Sequence, residues 1–270
     1  KILFVILVIA IFLRIYRLDL VPPSPSLDEV SIGYNAYSIL KTGADEFGTK
    51  FPILLRAYDD WRPALYGYLV VPFVKLFGLT AFAVRLPSVI LSLVTVLATF
   101  FLTKELLKLD KKFSIHLKQL IPPIATLLLA ISPWHIYISR LGHEVNASLT
   151  FFVLGLLFFL KASFLENNQA FNKKRFSFLM LSLILFVGSF YAYQSTKLFV
   201  PLFILSLVLL FWRNIIKLTR EAIVAGFIGF VILIPILNAL LSPQALIRFH
   251  GTNAFEAQKG RFIERSFLLQ

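Results

Sequence analysis

Apolar residues fall in long unbroken blocks along this chain, at 1–16, 84–107, 119–138, 145–165, 176–195, 197–212 and 221–241. A helix needs roughly 20 mostly apolar residues to cross a bilayer, and most of these blocks approach that length. Only helices and closed barrels satisfy every backbone polar group in lipid. The strict period-two alternation of a barrel strand is missing, so the blocks predict an all-α polytopic membrane protein with seven spans. A further apolar stretch, 64–78, contains Pro72 and Lys75. It makes only about 22 Å of helix and reads as an interfacial or re-entrant helix. Residues 1–16 read as a first span, not a signal peptide, because no small-residue cleavage site follows. The block opens at Lys1 without a starting Met, and the chain stops at Gln270 with no polar tail. It therefore reads as a piece of a longer protein.

Charge orients the blocks. With 64–78 not crossing, the segments 104–118, 161–175 and 213–220 share one side and hold twelve of the 27 basic residues. The positive-inside rule makes that side cytoplasmic. The other face collects 17–83, 139–144, the junction at 194–197 and 242–270. Seven of the fourteen acidic residues lie in 17–83, so the candidate polar chemistry gathers on the non-cytoplasmic side. The organisation expected is one membrane module: a first span at 1–16, an outer loop at 17–83 with amphipathic helices, six further spans within 84–241, and a last outer loop at 242–270.

Composition agrees. The chain is 58% apolar and 15% charged, against about 45–50% and 25% in soluble domains. The net charge of +13 belongs to inner loops and does not imply nucleic acid. The absence of cysteine excludes disulfides and thiolate metal sites. No Gly-rich phosphate cradle marks a nucleotide site, and no internal repeat supports a repeat-built transporter.

The first outer loop is the most informative segment. After Pro22-Pro23-Ser24-Pro25, Ser26 reads as a helix N-cap, and Glu29 three residues on completes a capping box. The helix runs to about Lys41 and ends at Gly43. Leu27, Val30, Tyr34, Tyr37 and Leu40 recur at helical spacing, which suits a helix lying along the membrane surface. Acids in a first turn complement the helix dipole, yet the box needs only Glu29. Asp28 is left over, presented at the helix start. Trp61, Tyr66 and Tyr68 fit an interfacial aromatic belt.

Further ordered motifs follow: Arg17-Leu18-Asp19, Leu27-Asp28-Glu29, Gly33-Tyr34-Asn35-Ala36-Tyr37, Asp45-Glu46-Phe47-Gly48, Pro63 with Tyr66, Val84-Arg85-Leu86-Pro87-Ser88, Ser132-Pro133-Trp134-His135, then Ser139-Arg140 and Glu144, and Tyr191 to Pro201. This ordered set, over roughly residues 10–255, resembles the C-type (GT-C) membrane glycosyltransferases. The nearest branch is that of the protein O-mannosyltransferases, the lipid A aminoarabinose transferases and related bacterial family 39-like proteins. The resemblance implies an N-terminal module of about seven transmembrane helices with surface helices in the first outer loop. It also implies a variable C-terminal part that this chain lacks.

What the resemblance implies chemically is transfer of a hexose or pentose from a polyprenyl- or dolichyl-phosphate donor to a hydroxyl on a protein, lipid or glycan acceptor. The reaction would invert the anomeric centre, at the outer face of a cell (inner) membrane. Asp28 stands where relatives carry the general base, which must reach the acceptor hydroxyl. Glu29 and Glu144 are the further catalytic candidates. Arg85, Arg140, Lys197 and Arg248, with His250 beside it, are candidates for the donor phosphate, whose developing charge cations stabilise. Tyr34, His143, Tyr193 and Gln194 are candidates for the substrate pocket. A divalent metal among Asp28, His143 and Glu144 stays open. Each of these residues also has a structural reading as cap, interface anchor or snorkelling cation. A lipid-linked-glycan flippase and a non-catalytic family member are the alternative functions; the scarcity of mid-span charges goes against the first. Asn146-Ala147-Ser148 matches an N-glycosylation pattern but sits at a helix start.

Overall fold

The computed structural model describes residues 1–57, 60–110, 113–165, 172–212 and 219–240. Each apolar block folds as helix. In order, the elements are α1 (Ile2–Ile15), α2 (Leu27–Thr42), β1 (Leu54–Ala57), β2 (Asp60–Pro63), α3 (Leu65–Phe77), α4 (Ala81–Leu106), α5 (Ile115–Ile131), α6 (Pro133–Ser139), α7 (Glu144–Ser163), α8 (Lys173–Ala192), α9 (Thr196–Leu210) and α10 (Thr219–Leu240). Among the described residues, α4, α7 and α8 are long and apolar enough to cross a membrane, and the bent pair α5–α6 makes a fourth. Helices α1 and α9 are apolar but shorter. At 1.5 Å per residue they extend about 21–23 Å, less than a hydrocarbon core of about 30 Å. Helix length alone thus gives three or four crossings, against the seven expected. The last outer loop, 242–270, lies outside the described residues.

Helix α4 is the centre of the bundle and packs against α1, α2, α3, α5, α6 and α7. Its seam with α7 is built from small polar side chains. Thr95 Oγ1 and Thr150 Oγ1 lie 2.8 Å apart, and Asn146 Nδ2 donates to the Ser88 carbonyl at 2.6 Å. Between α7 and α8, Ser148 and Ser189 hydroxyls meet at 3.0 Å, and Ser182 donates to the Gly155 carbonyl at 2.7 Å. Apolar burial drives little helix association in lipid, so close packing of small residues and interhelical hydrogen bonds take its place. Asn146 is fully buried in this seam, which removes it as a glycosylation acceptor. The outward faces of α1, α5, α9 and α10 are lined with exposed Phe, Leu, Ile and Val, as a lipid-facing surface requires.

Two local expectations are corrected. The block 119–138 is not one helix: α5 and α6 meet at 58°. Pro133 has no N–H to donate to the carbonyl four residues back, so it opens a new helix at the first position, where that N–H is not needed. The carbonyls left at the break are collected by the fully buried Arg14 of α1. It donates to Ala130 at 2.9 Å and Leu129 at 3.5 Å, and its Nη2 also meets His135 Nδ1 at 2.8 Å. The outer loop, read as helices and turns, also holds an antiparallel hairpin that pairs Leu54 with Pro63 and Ala57 with Asp60.

Within the outer loop, α2 starts and ends as expected. Ser26 and Glu29 form both halves of the capping box, and Gly43 closes the helix at φ 72°. Its predicted apolar stripe of Leu27, Val30, Tyr34 and Tyr37 is exposed. The opposite face, with Ile32 and Ala36, packs on Tyr66, Val70 and Val74 of α3 and Ala83 and Val84 of α4. Helix α3, of 13 residues, is thus clamped beneath α2. Like α1 and α9, it is apolar but shorter than a span on helix length alone.

The chain passes Val84 with no room at Gly142. A Cβ there would lie 2.6 Å from Val84 Cγ1 and 2.9 Å from the Val84 carbonyl oxygen, whereas at Gly188 the nearest atom would be 3.5 Å away. Gly142→Ala is expected to destabilise the protein by about 1–3 kcal/mol through overpacking against backbone. Gly188→Ala should be neutral or stabilising, because alanine favours helix. Thermal melts in detergent check the order; equal melts would remove the close approach of this segment to α4.

Candidate functional site

The site is built on Glu29. Its Oε2 accepts the Ser26 N–H at 2.8 Å, which is the capping box, and its Oε1 accepts Arg85 Nε at 2.7 Å and the Gly142 N–H at 3.0 Å. Arg85 Nη1 donates to the carbonyls of Leu18 and Pro22, each at 3.0 Å, and Nη2 to Ser24 at 3.1 Å and Glu29 Oε2 at 3.4 Å. A guanidinium has five N–H donors, and all five of Arg85 are occupied. Both side chains of the pair are within 1% of complete burial. Burial alone would raise the carboxyl pKa of Glu29, but Arg85 and the Ser26 and Gly142 amides carry it below its ordinary value. Glu29, expected as catalytic, and Arg85, expected at the donor phosphate, are thus engaged with each other and with the backbone, and the pair clamps α2 and α4 to the segment before α7.

Arg140 is likewise filled. Its donors go to the carbonyls of Leu13, Arg14, Tyr16, Arg17 and Val21 at 2.8–3.2 Å. These are the carbonyls of the last turn of α1 and the loop after it, which lack helical partners. Arg140 caps α1 and has no N–H left for a phosphate.

Asp28 is different. Because Glu29 is pinned inward, Asp28 points outward, with 41% of its side chain exposed. Oδ1 accepts Arg62 Nη2 at 2.7 Å, and Oδ2 lies 3.4 Å from His143 Nε2. Arg62 comes from β2, so the hairpin is the element that delivers it. Burial would raise the Asp28 pKa, but the Arg62 hydrogen bond and charge, then His143, lower it below its ordinary value. Arg62 is 92% buried, yet its Nε and Nη1 have no hydrogen-bond partner. Buried donors normally find partners; Arg62 instead keeps donor capacity to spare beside the Asp28 carboxylate. Sequence reasoning passed over Arg62, taking only the neighbouring Trp61 as an interfacial anchor.

His143 sits between two acids. It is the N-cap of α7: its Nδ1 accepts the Val145 N–H at 3.3 Å, so a neutral ring carries its proton on Nε2, toward Asp28. Glu144 Oε2 lies 3.4 Å from the same Nδ1 and, in that tautomer, gains no hydrogen bond there. It is buried without a hydrogen-bond partner, next to the dipole of the α7 N-terminus, which favours a negative charge. The imidazole separates the two carboxylates instead of converging with them on one point. Among the described residues, no group of three His, Asp or Glu side chains is arranged to hold a metal.

The α8–α9 corner closes the site. The Tyr193 ring stands edge-on to His143 at 6.3 Å between centroids. Gln194 Nε2 donates to the Trp61 carbonyl, beside Arg62, and Gln194 Oε1 accepts Lys197 Nζ at 2.6 Å. Asp28, His143, Glu144, Tyr193, Gln194 and Lys197 are thus brought to one end of the bundle together with Arg62. Tyr34 is not among them; it lines a separate groove with Val30, Leu79 and Val84. Arg248 and His250 lie outside the described residues. Asp45 and Glu46 serve the loop: Asp45 Oδ1 accepts the Phe47 and Thr49 amides, and Glu46 is bonded twice to Asn35.

No family model, curated protein or solved structure matches the chain. The arrangement is therefore read from its own chemistry.

The clamp makes a prediction about stability and pH. Both lowered carboxyls add stability that is present above the ordinary carboxylate range, about pH 4, and lost as pH falls through their folded values. Glu29→Gln is expected to cost about 3 kcal/mol or more, because it leaves Arg85 buried without its counter-charge. It should also flatten the acid limb of a melting-temperature profile. Asp28→Asn should cost less than Glu29→Gln, because the Asp28 carboxylate is 41% exposed and solvent screens it, although Arg62 on the other side is buried. A larger loss for Asp28→Asn than for Glu29→Gln would reverse the assignment of clamp and site.

Proposed function

We propose that this chain is the N-terminal membrane module of a C-type glycosyltransferase, with seven spans and its site on the non-cytoplasmic face. It moves a sugar from a polyprenyl-phosphate donor to the hydroxyl of a protein, lipid or glycan acceptor. The observation that carries this reading is the pairing of the exposed Asp28 carboxylate with Arg62, a buried arginine that has N–H groups to spare. The site stands at the ends of α2, α7 and α8 that are opposite the basic loops.

In this reading Asp28, held ionised, accepts the proton of the acceptor hydroxyl as its oxygen attacks the anomeric carbon. The bond to the lipid phosphate breaks with inversion, and the lipid phosphate leaves as the anion. Arg62, with Lys197 next to the same corner, stabilises that anion as its charge develops. Arginine suits the task because its planar fork matches phosphate oxygens. His143 orients Asp28 through Nε2, and Glu144 sits behind the ring. Arg85 and Arg140 hold the scaffold.

Transfer of labelled sugar from a panel of polyprenyl-phosphate donors tests the chemistry in membranes that contain the protein. Asp28→Asn is expected to slow transfer at least ~100-fold with normal expression, the usual size of a lost general base. Arg62→Ala is expected to slow it by about 10²-fold, as for loss of an oxyanion donor. Unchanged transfer in both variants would end the assignment. Absence of transfer from every donor would shift the reading to a lipid-linked-glycan flippase.

Topology has its own test. The chain has no cysteine, and Lys50 and Leu109 are exposed, so single cysteines at these two positions report side without background. Lys50→Cys should label with a membrane-impermeant maleimide in intact cells, and Leu109→Cys only after permeabilisation. The reverse pattern would invert the orientation.

A further inference from the structure

The opposite end of the bundle holds a second polar pocket. It has a volume of about 270 Å³ and is lined by Glu105 in the last turn of α4 and Lys108 just after it, Lys161 and Phe164 of the α7 end, and Lys174 and Phe178 of α8. Helix α7 runs 20 residues from Glu144 to Ser163, so this pocket is about 30 Å from the Asp28 site. It lies at the ends of the three helices that are long and apolar enough to cross a membrane.

Its lining holds three lysines and one glutamate. Lys108 pairs with Glu105 at 2.6 Å. Among the described residues no ion pair joins Lys161 or Lys174 to a carboxylate. Lys161 is held in place by aromatic rings: its ammonium stands 5.5–5.9 Å from the centroids of Phe101, Phe158 and Phe178, a cation–π setting that keeps the charge at the pocket. Lys108 follows the C-terminus of α4 and Lys161 lies in the last turn of α7, where a cation is favoured. Lys174 is placed otherwise. The first turn of α8 carries Lys173, Lys174 and Arg175 with no acid, at the end of the helix dipole that repels cations. Arg175 is buried and donates to the Leu165 carbonyl, whereas the exposed Lys174 places its charge at the pocket against the dipole, a position that a bound anion would favour.

We propose that this pocket binds the phosphate headgroup of an anionic phospholipid. Lys161 and Lys174, reaching in from two spanning helices, contact the phosphate. Phe164, Leu165 and Phe178 form the wall against which the first acyl carbons lie. Basic pockets between spanning helices at headgroup level take anionic lipids in this way. The bound lipid would bridge the ends of α4, α7 and α8. This does not depend on the glycosyltransferase reading.

Native mass spectrometry of the intact chain in detergent tests it, with phosphatidylglycerol, phosphatidylcholine and inorganic phosphate as separate titrants. The wild type is expected to prefer phosphatidylglycerol over phosphatidylcholine by at least ~10-fold, from two lysines at the membrane surface. The pocket variant Lys161→Ala/Lys174→Ala should lose that preference. The variant Lys104→Ala/Lys118→Ala removes the same charge outside the pocket and should keep it. Should the double pocket variant fail to fold, Lys174→Ala alone, at an exposed position, should still reduce the preference several-fold. No preference in the wild type, or equal losses in both double variants, would overturn the proposal in favour of diffuse surface charge. Equal displacement of the lipid by millimolar inorganic phosphate would overturn the lipid as source and leave a simple phosphate site.

Discussion

The buried pair of Glu29 and Arg85 is the constraint on which the outer end of the molecule depends. Two charges removed from water cost several kcal/mol each unless every donor and lone pair is answered. Here they are answered by a capping-box amide, by the Gly142 amide and by three carbonyls of the loop after α1. The pair therefore fixes more than one contact. It sets the first turn of α2 on α4, folds the 17–25 loop around a guanidinium, and draws the segment before α7 against Val84. Asp28 is one residue earlier, about 100° around the same helix. With Glu29 pinned inward, Asp28 must face out, toward whatever the neighbouring segments present.

Those segments are held by equally local devices. The hairpin places Arg62, the N-cap of α7 is His143 itself, and Gln194 ties the α8–α9 corner to the strand next to Arg62. Behind them, the α4–α7–α8 core combines hydroxyls, Asn146 and Gly155 with buried apolar side chains such as Phe186, which packs on Gly155. Such packing lets backbones approach closely and gives a rigid platform in a solvent as apolar as the core itself. A polar constellation at the bundle end is only as well placed as that platform.

The helices were legible in the sequence because their signals are local. Apolar blocks, the Ser26–Glu29 capping box and the Gly43 stop each depend on residues a few positions apart, and each matches a helix or a helix end. Pro133 could have been read as a break, but the run of apolar residues across it hid the bend. The hairpin was not legible: Leu54-Leu55-Arg56-Ala57 has no clean alternation, and its pairing is specified by docking under α2 and α3. The number of crossings is likewise set by length against a bilayer, which α1 and α9 do not reach on helix length alone.

The site was legible only in part, and the arginines explain why. Arg62, Arg85 and Arg140 all lie on the outer side of the sequence map, and a reading by residue type treats them alike. What separates them is the accounting of five donors apiece. Arg85 and Arg140 fill theirs with carbonyls and Glu29, contacts that join segments up to 127 residues apart and leave no trace in local sequence. Arg62 leaves two nitrogens unfilled while its third holds Asp28. A cation shared in this way keeps a carboxylate ionised but weakens it as a base. An anion taken up on the unfilled side of the guanidinium would draw charge from that contact and return basicity to Asp28. In the proposed reaction a single side chain, Arg62, would thus couple the two halves, with the donor phosphate on its unfilled side and Asp28 on the other.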